Sequence, residues 1–225
     1  MKFKKFGDEG ENKQDGELHE TSPEELLSML LNPGVSSEGN TPRVTGIYGE
    51  IDQEKCSEAI YSMLCLREAG FQYEENPEDP DGLPIQTSTP FDFHISTWGG
   101  SALDMFAVYD VMRLIRKDCE IVTYGFGKVM SAGVILLAAG TKGKRYIGAN
   151  CRLMIHGVTA GQQGGLHDLE NEMNEAKWIQ KQYVSALSKE SNMRKKEIKE
   201  LFNRKINVYF DAEQAVAYGI ADKIV

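Results

Sequence analysis

Between Phe91 and Ile155 the chain alternates short strand-like runs with glycine pairs and apolar helical runs, and this order restricts the fold more than any other feature. A strand over Phe91–Ser96 leads into Gly99-Gly100. A helix follows, with Leu103, Phe106, Ala107, Val111, Leu114 and Ile115 assigned to one apolar face. A second strand, Glu120–Tyr124, runs into Gly125-Phe126-Gly127, and a buried helix over Ser131–Ala139 comes next. Strands near Arg145–Ile147 and Arg152–Ile155 complete the series, with His156 closing the last. Strand, helix, strand in this order implies a right-handed crossover and a layered α/β fold.

The flanking segments differ in character. Residues 1–42 are rich in Glu, Asp, Lys, Gly and Asn and lack a sustained apolar period, so they read as a mobile arm. Within the arm, Ser22-Pro23-Glu24-Glu25 is a helix start followed by Leu26, Leu27, Met29, Leu30 and Leu31, and Asn32-Pro33-Gly34 stops it. The folded domain is expected over 43–225, opening with a strand through Ile47 and Tyr48 and a helix carrying Cys56, Ala59, Ile60, Met63 and Leu64. Phe71–Pro90 holds five acids, four prolines and no Lys or Arg, which predicts a solvated acidic insertion rather than a second domain. Farther on, Leu169, Met173, Ala176, Gln180, Tyr183 and Leu187 alternate spacings of four and three, the seam of a long helix that packs on a partner helix.

Composition excludes several classes. With 225 residues and 41% hydrophobic side chains, the chain buries a core without metals or disulfides. A net charge of -9 argues against nucleic acid as a partner, because that affinity comes from Lys and Arg on phosphates. Cys56, Cys65, Cys119 and Cys151 have no CxxC spacing and read as reduced thiols, consistent with a cytoplasmic protein. The longest strongly apolar stretch, Val134–Ala139, falls far short of the roughly 20 residues that span a bilayer, so no membrane partner is expected. No cofactor or metal is implied.

Ser131 stands where a glycine turn passes into a helix, near backbone N–H groups that have no partner. The competing reading makes it an N-cap. His156 follows 25 residues later (156 − 131) at a strand end, where its ring can reach a cleft. The G-x-S-x-G elbow is not met, since Val129 occupies the first glycine position, and a phosphate-binding loop fails because Val129 follows Gly127-Lys128.

Taken in order, Ile95-Ser96-Thr97-Trp98-Gly99-Gly100-Ser101, Gly127-Lys128-Val129-Met130-Ser131-Ala132-Gly133, Met154-Ile155-His156 and Ala215-Val216-Ala217-Tyr218-Gly219-Ile220-Ala221-Asp222 resemble the ClpP family, the proteolytic subunits of the Clp protease. The resemblance implies an α/β fold, a ClpP/crotonase-like spiral of βαβ units with a protruding handle helix over Leu166–Lys189. It also implies Ser131 as nucleophile, His156 as base, and the N–H groups of Gly100 and Ala132 as oxyanion hole. Trp98, Gly99, Ser101 and Met130 would border the substrate groove. The implied assembly is a homo-oligomeric heptameric ring acting on protein or peptide substrates. Stacking into a tetradecamer and engagement of an AAA+ unfoldase are left open.

Several positions depart from the family pattern. Asn207 stands where the family carries the third, acidic triad member, with Asp211 or Asp168 as alternatives if the register is shifted. Ile206 replaces the usual arginine, Thr97-Trp98 replaces Ser-Pro, and Lys128-Val129 replaces small residues. The rival functions are a catalytically impaired ring subunit, an acyl-CoA enzyme on the same general fold, and a dedicated processing protease without an ATPase partner.

Overall fold

The computed structural model describes residues 42–74, 82, 84–204 and 206–225; the helix expected after Ser22 lies outside them. The elements are β1 (Val44–Ile51), α1 (Gln53–Glu68), β2 (Phe71–Glu74), β3 (Ile85–Ser88), β4 (Phe91–Gly100), α2 (Ala102–Ile115), β5 (Ile121–Met130) and α3 (Ala132–Ala138). They continue with β6 (Arg145–Ile147), β7 (Arg152–Ile155), α4 (Leu166–Glu190), α5 (Lys195–Asn203), β8 (Val208–Phe210), α6 (Ala212–Ala217) and β9 (Lys223–Ile224).

One sheet runs β1-β4-β5-β6-β9 with every pair parallel, and β7 joins the far end of β5 and carries antiparallel β8. This is the layered α/β architecture that the strand and helix order requires. Within the acidic stretch, β2 and β3 form a separate antiparallel pair. Helix α3 lies at the centre, with all seven residues buried, packed on β4, β5, α2 and α4. Phe93 and Ile95 alternate inward along β4 and are fully buried, each contributing about 1.5–3 kcal/mol of transfer free energy. Arg145, 3% exposed, reaches the carboxylate of Asp222 and donates to the carbonyls of Glu190 (2.6 Å) and Gly219 (2.8 Å), tying β6 to the end of α4 and the C-terminal turn. Burial alone would raise the Asp222 carboxyl; hydrogen bonds and charge from Arg145 outweigh it and hold the carboxyl below its ordinary range.

Three details differ from the sequence reading. The inward residues of α2 are Met105, Val108, Tyr109, Met112 and Ile115, while Leu103 and Leu114 are more than half exposed. The helix is apolar around most of its circumference, so spacing alone does not select the buried face. Second, Gly125-Phe126-Gly127 is not a turn. Gly125 still pairs with Ile95 and Ile147, and Gly127 at φ +64° lets β5 change partner, so that Lys128–Met130 pair with β7. Third, the seam of α4 is divided: Tyr183 and Leu187 are buried in this chain's own core, whereas Leu169 and Met173 remain exposed.

Candidate active site

The strand β5 delivers Ser131 directly into α3 with φ 53° and ψ −119°, the single non-glycine residue at positive φ among those described. Such a conformation costs about 1–3 kcal/mol and persists where its surroundings enforce it. The main chain of Ser131 is held on several sides. Its N–H donates to the Met154 carbonyl at 2.7 Å, and its own carbonyl accepts from the Val134 N–H at 3.1 Å and the Tyr183 hydroxyl at 2.9 Å. Burial pushes the Tyr183 phenol pKa upward, so it stays a protonated donor.

The Ser131 side chain does not cap α3. Its Oγ lies 2.8 Å from His156 Nε2, while His156 Nδ1 lies 2.6 Å from the Gly157 carbonyl. A carbonyl can only accept, so Nδ1 carries the ring proton and Nε2 is the acceptor for the serine hydroxyl. That tautomer lets His156 remove the Ser131 proton. Gln180 Oε1 steadies the segment after His156 by accepting the Val158 N–H at 3.1 Å.

Glycines make the close approach possible. A Cβ on Gly99 would lie 2.5 Å from Ser131 Cβ, and one on Gly133 would lie 2.3 Å from Thr97 Cγ2. Buried Thr97 bridges the two strands, its Oγ1 donating to the Gly49 carbonyl at 2.6 Å and accepting the Gly99 N–H at 2.9 Å. The Ser101 N–H donates to the Ile51 carbonyl at 2.8 Å. Gly100 sits between these two engaged N–H groups, and with Ala132 it lines a cleft of about 300 Å³ shared by Ser131 and His156.

The other expected residues are distributed as follows. Ser101 lines the same cleft, Met130 directly precedes Ser131, and Trp98 is 64% exposed beneath the Lys128 ammonium, 4.7 Å from its ring centre. Asn207 is exposed and shares a neighbouring recess with His156. Asp211 caps α6 through the Gln214 N–H at 2.8 Å, and Asp168 accepts the Gly165 N–H at 3.3 Å at the start of α4, so both acids serve helix ends. Among the described residues no group of three His, Cys, Asp or Glu could hold a metal ion, and no helix is long and apolar enough to cross a membrane.

The sequence model of a family described as Clp protease matches residues 84–225, more than half of the chain. The chain belongs to the Clp protease family. Among curated relatives, it is similar to the ATP-dependent Clp protease proteolytic subunit 4 of Rhodococcus jostii (strain RHA1), with 35% identity over 132 residues. That alignment covers 59% of this chain and 66% of the relative. The family match includes β3 onward, and therefore Gly99, Gly100, Ser131 and His156, while β1, α1 and β2 precede it.

Reading the sequence alone missed what this member of the Clp protease family does with Thr97, Tyr183 and the Gly157 carbonyl. Thr97 left a signal, since it occupies an inward position in the alternation Phe91, Phe93, Ile95, Thr97, where a hydroxyl needs a partner. Tyr183 looked like one more apolar seam residue. A main-chain carbonyl has no sequence signature at all.

Proposed function

We infer that the chain is a serine endopeptidase subunit of the Clp type. In this reading Ser131 Oγ attacks the scissile carbonyl while His156 Nε2 takes its proton, and the N–H groups of Gly100 and Ala132 receive the oxyanion. His156 then gives the proton to the leaving amine, and water, deprotonated by His156, releases the acyl group from Ser131. The observation that carries the reading is the 2.8 Å contact between Ser131 Oγ and His156 Nε2 at a strained strand-to-helix turn over a cleft. It also weighs against an acyl-CoA enzyme or an impaired ring subunit, neither of which uses a serine held on a histidine. Asn207 stands as third member, a dipole beside the imidazolium, subordinate to the Gly157 carbonyl that already fixes the tautomer. Trp98, Gly99, Ser101 and Met130 border the groove. A fluorophosphonate serine-hydrolase probe should label the wild-type chain and leave Ser131→Ala unlabelled; labelling of both alike would remove Ser131 from the mechanism.

The subunit acts in a homo-oligomeric ring. Leu166 (70% exposed), Leu169 and Met173 (51%) form an apolar end of α4 that supports packing against another copy. The relative's name is that of an ATP-dependent protease, which supports an ATPase partner here, with processing without one as the alternative. The peptidase domain spans 43–225; the arm expected over 1–42 falls, apart from Pro42, outside the described residues, and no residue of it is assigned a part in the chemistry. Light scattering should give several times the mass of one chain at micromolar concentration, and a monodisperse monomer would refute the ring.

A further inference from the structure

The Ser131 carbonyl and the Ala132 N–H are the two ends of one peptide unit. Because that unit is planar and trans, whatever fixes the direction of the oxygen also fixes the hydrogen, which points the opposite way. Ala132 is the first residue of α3, so its N–H has no carbonyl partner within the helix and is available to a ligand in the cleft that Ala132 lines with Ser131 and His156. The aim of this N–H is therefore decided at the carbonyl of the nucleophile.

That carbonyl is not held as the start of a regular helix would hold it. Ahead of α1, α2 and α6, the carbonyls of Asp52, Ser101 and Asp211 each accept from the residue four positions on, at 3.0, 3.1 and 3.0 Å. The Ser131 carbonyl accepts from Val134, three positions on, at 3.1 Å, and takes a second bond from the Tyr183 hydroxyl at 2.9 Å. It is thus tilted out of the helical ladder towards α4, with both acceptor sites of the oxygen in use. Tyr183 is a stiff support. It is 6% exposed, its ring centre lies 5.6 Å from that of Phe202 in α5, and burial keeps its phenol protonated. A buried hydroxyl needs an acceptor, and any carbonyl would serve that need alone. Here the acceptor is the peptide oxygen of the nucleophile. The bond aims the N–H at the other end of the peptide and, by drawing electron density towards the oxygen, makes it a stronger donor.

We propose that Tyr183 is a positioning residue for the reaction: its hydroxyl, acting through the Ser131–Ala132 peptide, sets the direction and donor strength of the Ala132 N–H that receives the oxyanion. The proposal rests on Ser131 being the nucleophile and Ala132 an oxyanion donor. The Tyr183 hydroxyl meets the Ser131 carbonyl and not Oγ, so its loss acts on the tetrahedral intermediate and leaves ground-state binding in place.

The test compares the full-length assembled wild type with Tyr183→Phe, which keeps the ring and removes only the hydroxyl. Rates on a fluorogenic peptide are expressed per active site, titrated with the fluorophosphonate probe. Outright removal of an oxyanion donor costs about 10²–10³ in kcat, so a donor left in place but unaimed should cost about tenfold, with KM within about twofold. A peptidyl boronate, whose boron takes the Ser131 Oγ electron pair and whose oxygen sits at the oxyanion position, should bind Tyr183→Phe about tenfold more weakly, while the product peptide binds both proteins alike. Tyr183→p-aminophenylalanine returns an N–H donor and should restore kcat to within about threefold of wild type. Tyr109→Phe is the stability control, since it removes another buried hydroxyl, 2.9 Å from the Glu190 carboxylate; it should lower Tm as much as Tyr183→Phe and leave kcat and boronate binding intact. A Tyr183→Phe protein within about twofold of the wild-type kcat, an unchanged boronate affinity, no recovery with p-aminophenylalanine, or an equal loss in Tyr109→Phe overturns the proposal and leaves the serine mechanism standing. A wild-type protein that the probe does not label overturns both.

Discussion

Replacing Ser131 with alanine should lower peptide turnover by about 10⁴-fold or more, and His156→Ala should do nearly the same. The two side chains act as one unit: the hydroxyl is a poor nucleophile until His156 Nε2, 2.8 Å away, accepts its proton. Either loss removes the covalent route, so the double variant should be no slower than the worse single one within about threefold. What remains comes from the backbone N–H groups and from substrate binding, which Ala at either position leaves in place. Fluorophosphonate labelling should vanish in Ser131→Ala and fall steeply in His156→Ala, because the probe needs the same activated oxygen. Additive losses in the double variant, or a His156→Ala protein that keeps a tenth of the wild-type rate, would mean that the histidine is not the base.

The strength of that prediction reflects how much of the site was legible in the chain. Ser131 and His156 stand at the ends of strands, and strand ends at one edge of a parallel sheet converge, so order along the chain was enough to bring them together. The βαβ order likewise fixed the parallel sheet. Other features were hidden for physical reasons. The inward face of α2 was misjudged because nearly every position is apolar, and the neighbours then decide which of them are buried. The run Gly125–Gly127 passed for a turn because glycine also permits a strand to shift partner, and local sequence does not separate the two uses.

The orientation of His156 illustrates the same limit at atomic scale. The family resemblance put Asn207, a side chain, at the position of the third triad member. In the structure the ring proton goes to the carbonyl of the next residue, at 2.6 Å. A main-chain acceptor supplies the useful tautomer without a formal negative charge, which is compatible with a neutral amide at position 207.

Gly99→Ala should cost about 10²-fold in kcat/KM although no reacting group is removed. The added methyl would lie 2.5 Å from Ser131 Cβ and 3.0 Å from the Met130 carbonyl oxygen, distances at which something must move. Ser131 has little freedom to yield in place, since its main chain is bonded to Met154, Val134 and Tyr183. The displacement therefore falls on the geometry of the nucleophile itself, and a misplacement of about 1 Å there is enough for a loss of this size. Alanine at φ +94° also brings backbone strain of about 1–2 kcal/mol, which lowers stability without touching the chemistry. Gly143→Ala separates the two effects. Gly143 has φ +84°, but a Cβ there meets nothing within 4 Å, so this variant should share the drop in Tm and keep its turnover. Parallel measurement of Tm, probe labelling rate and kcat/KM for both variants gives the answer: slow labelling in Gly99→Ala alone is the expected pattern. A folded Gly99→Ala protein within threefold of the wild-type rate would show that packing against Gly99 does not set the position of Ser131.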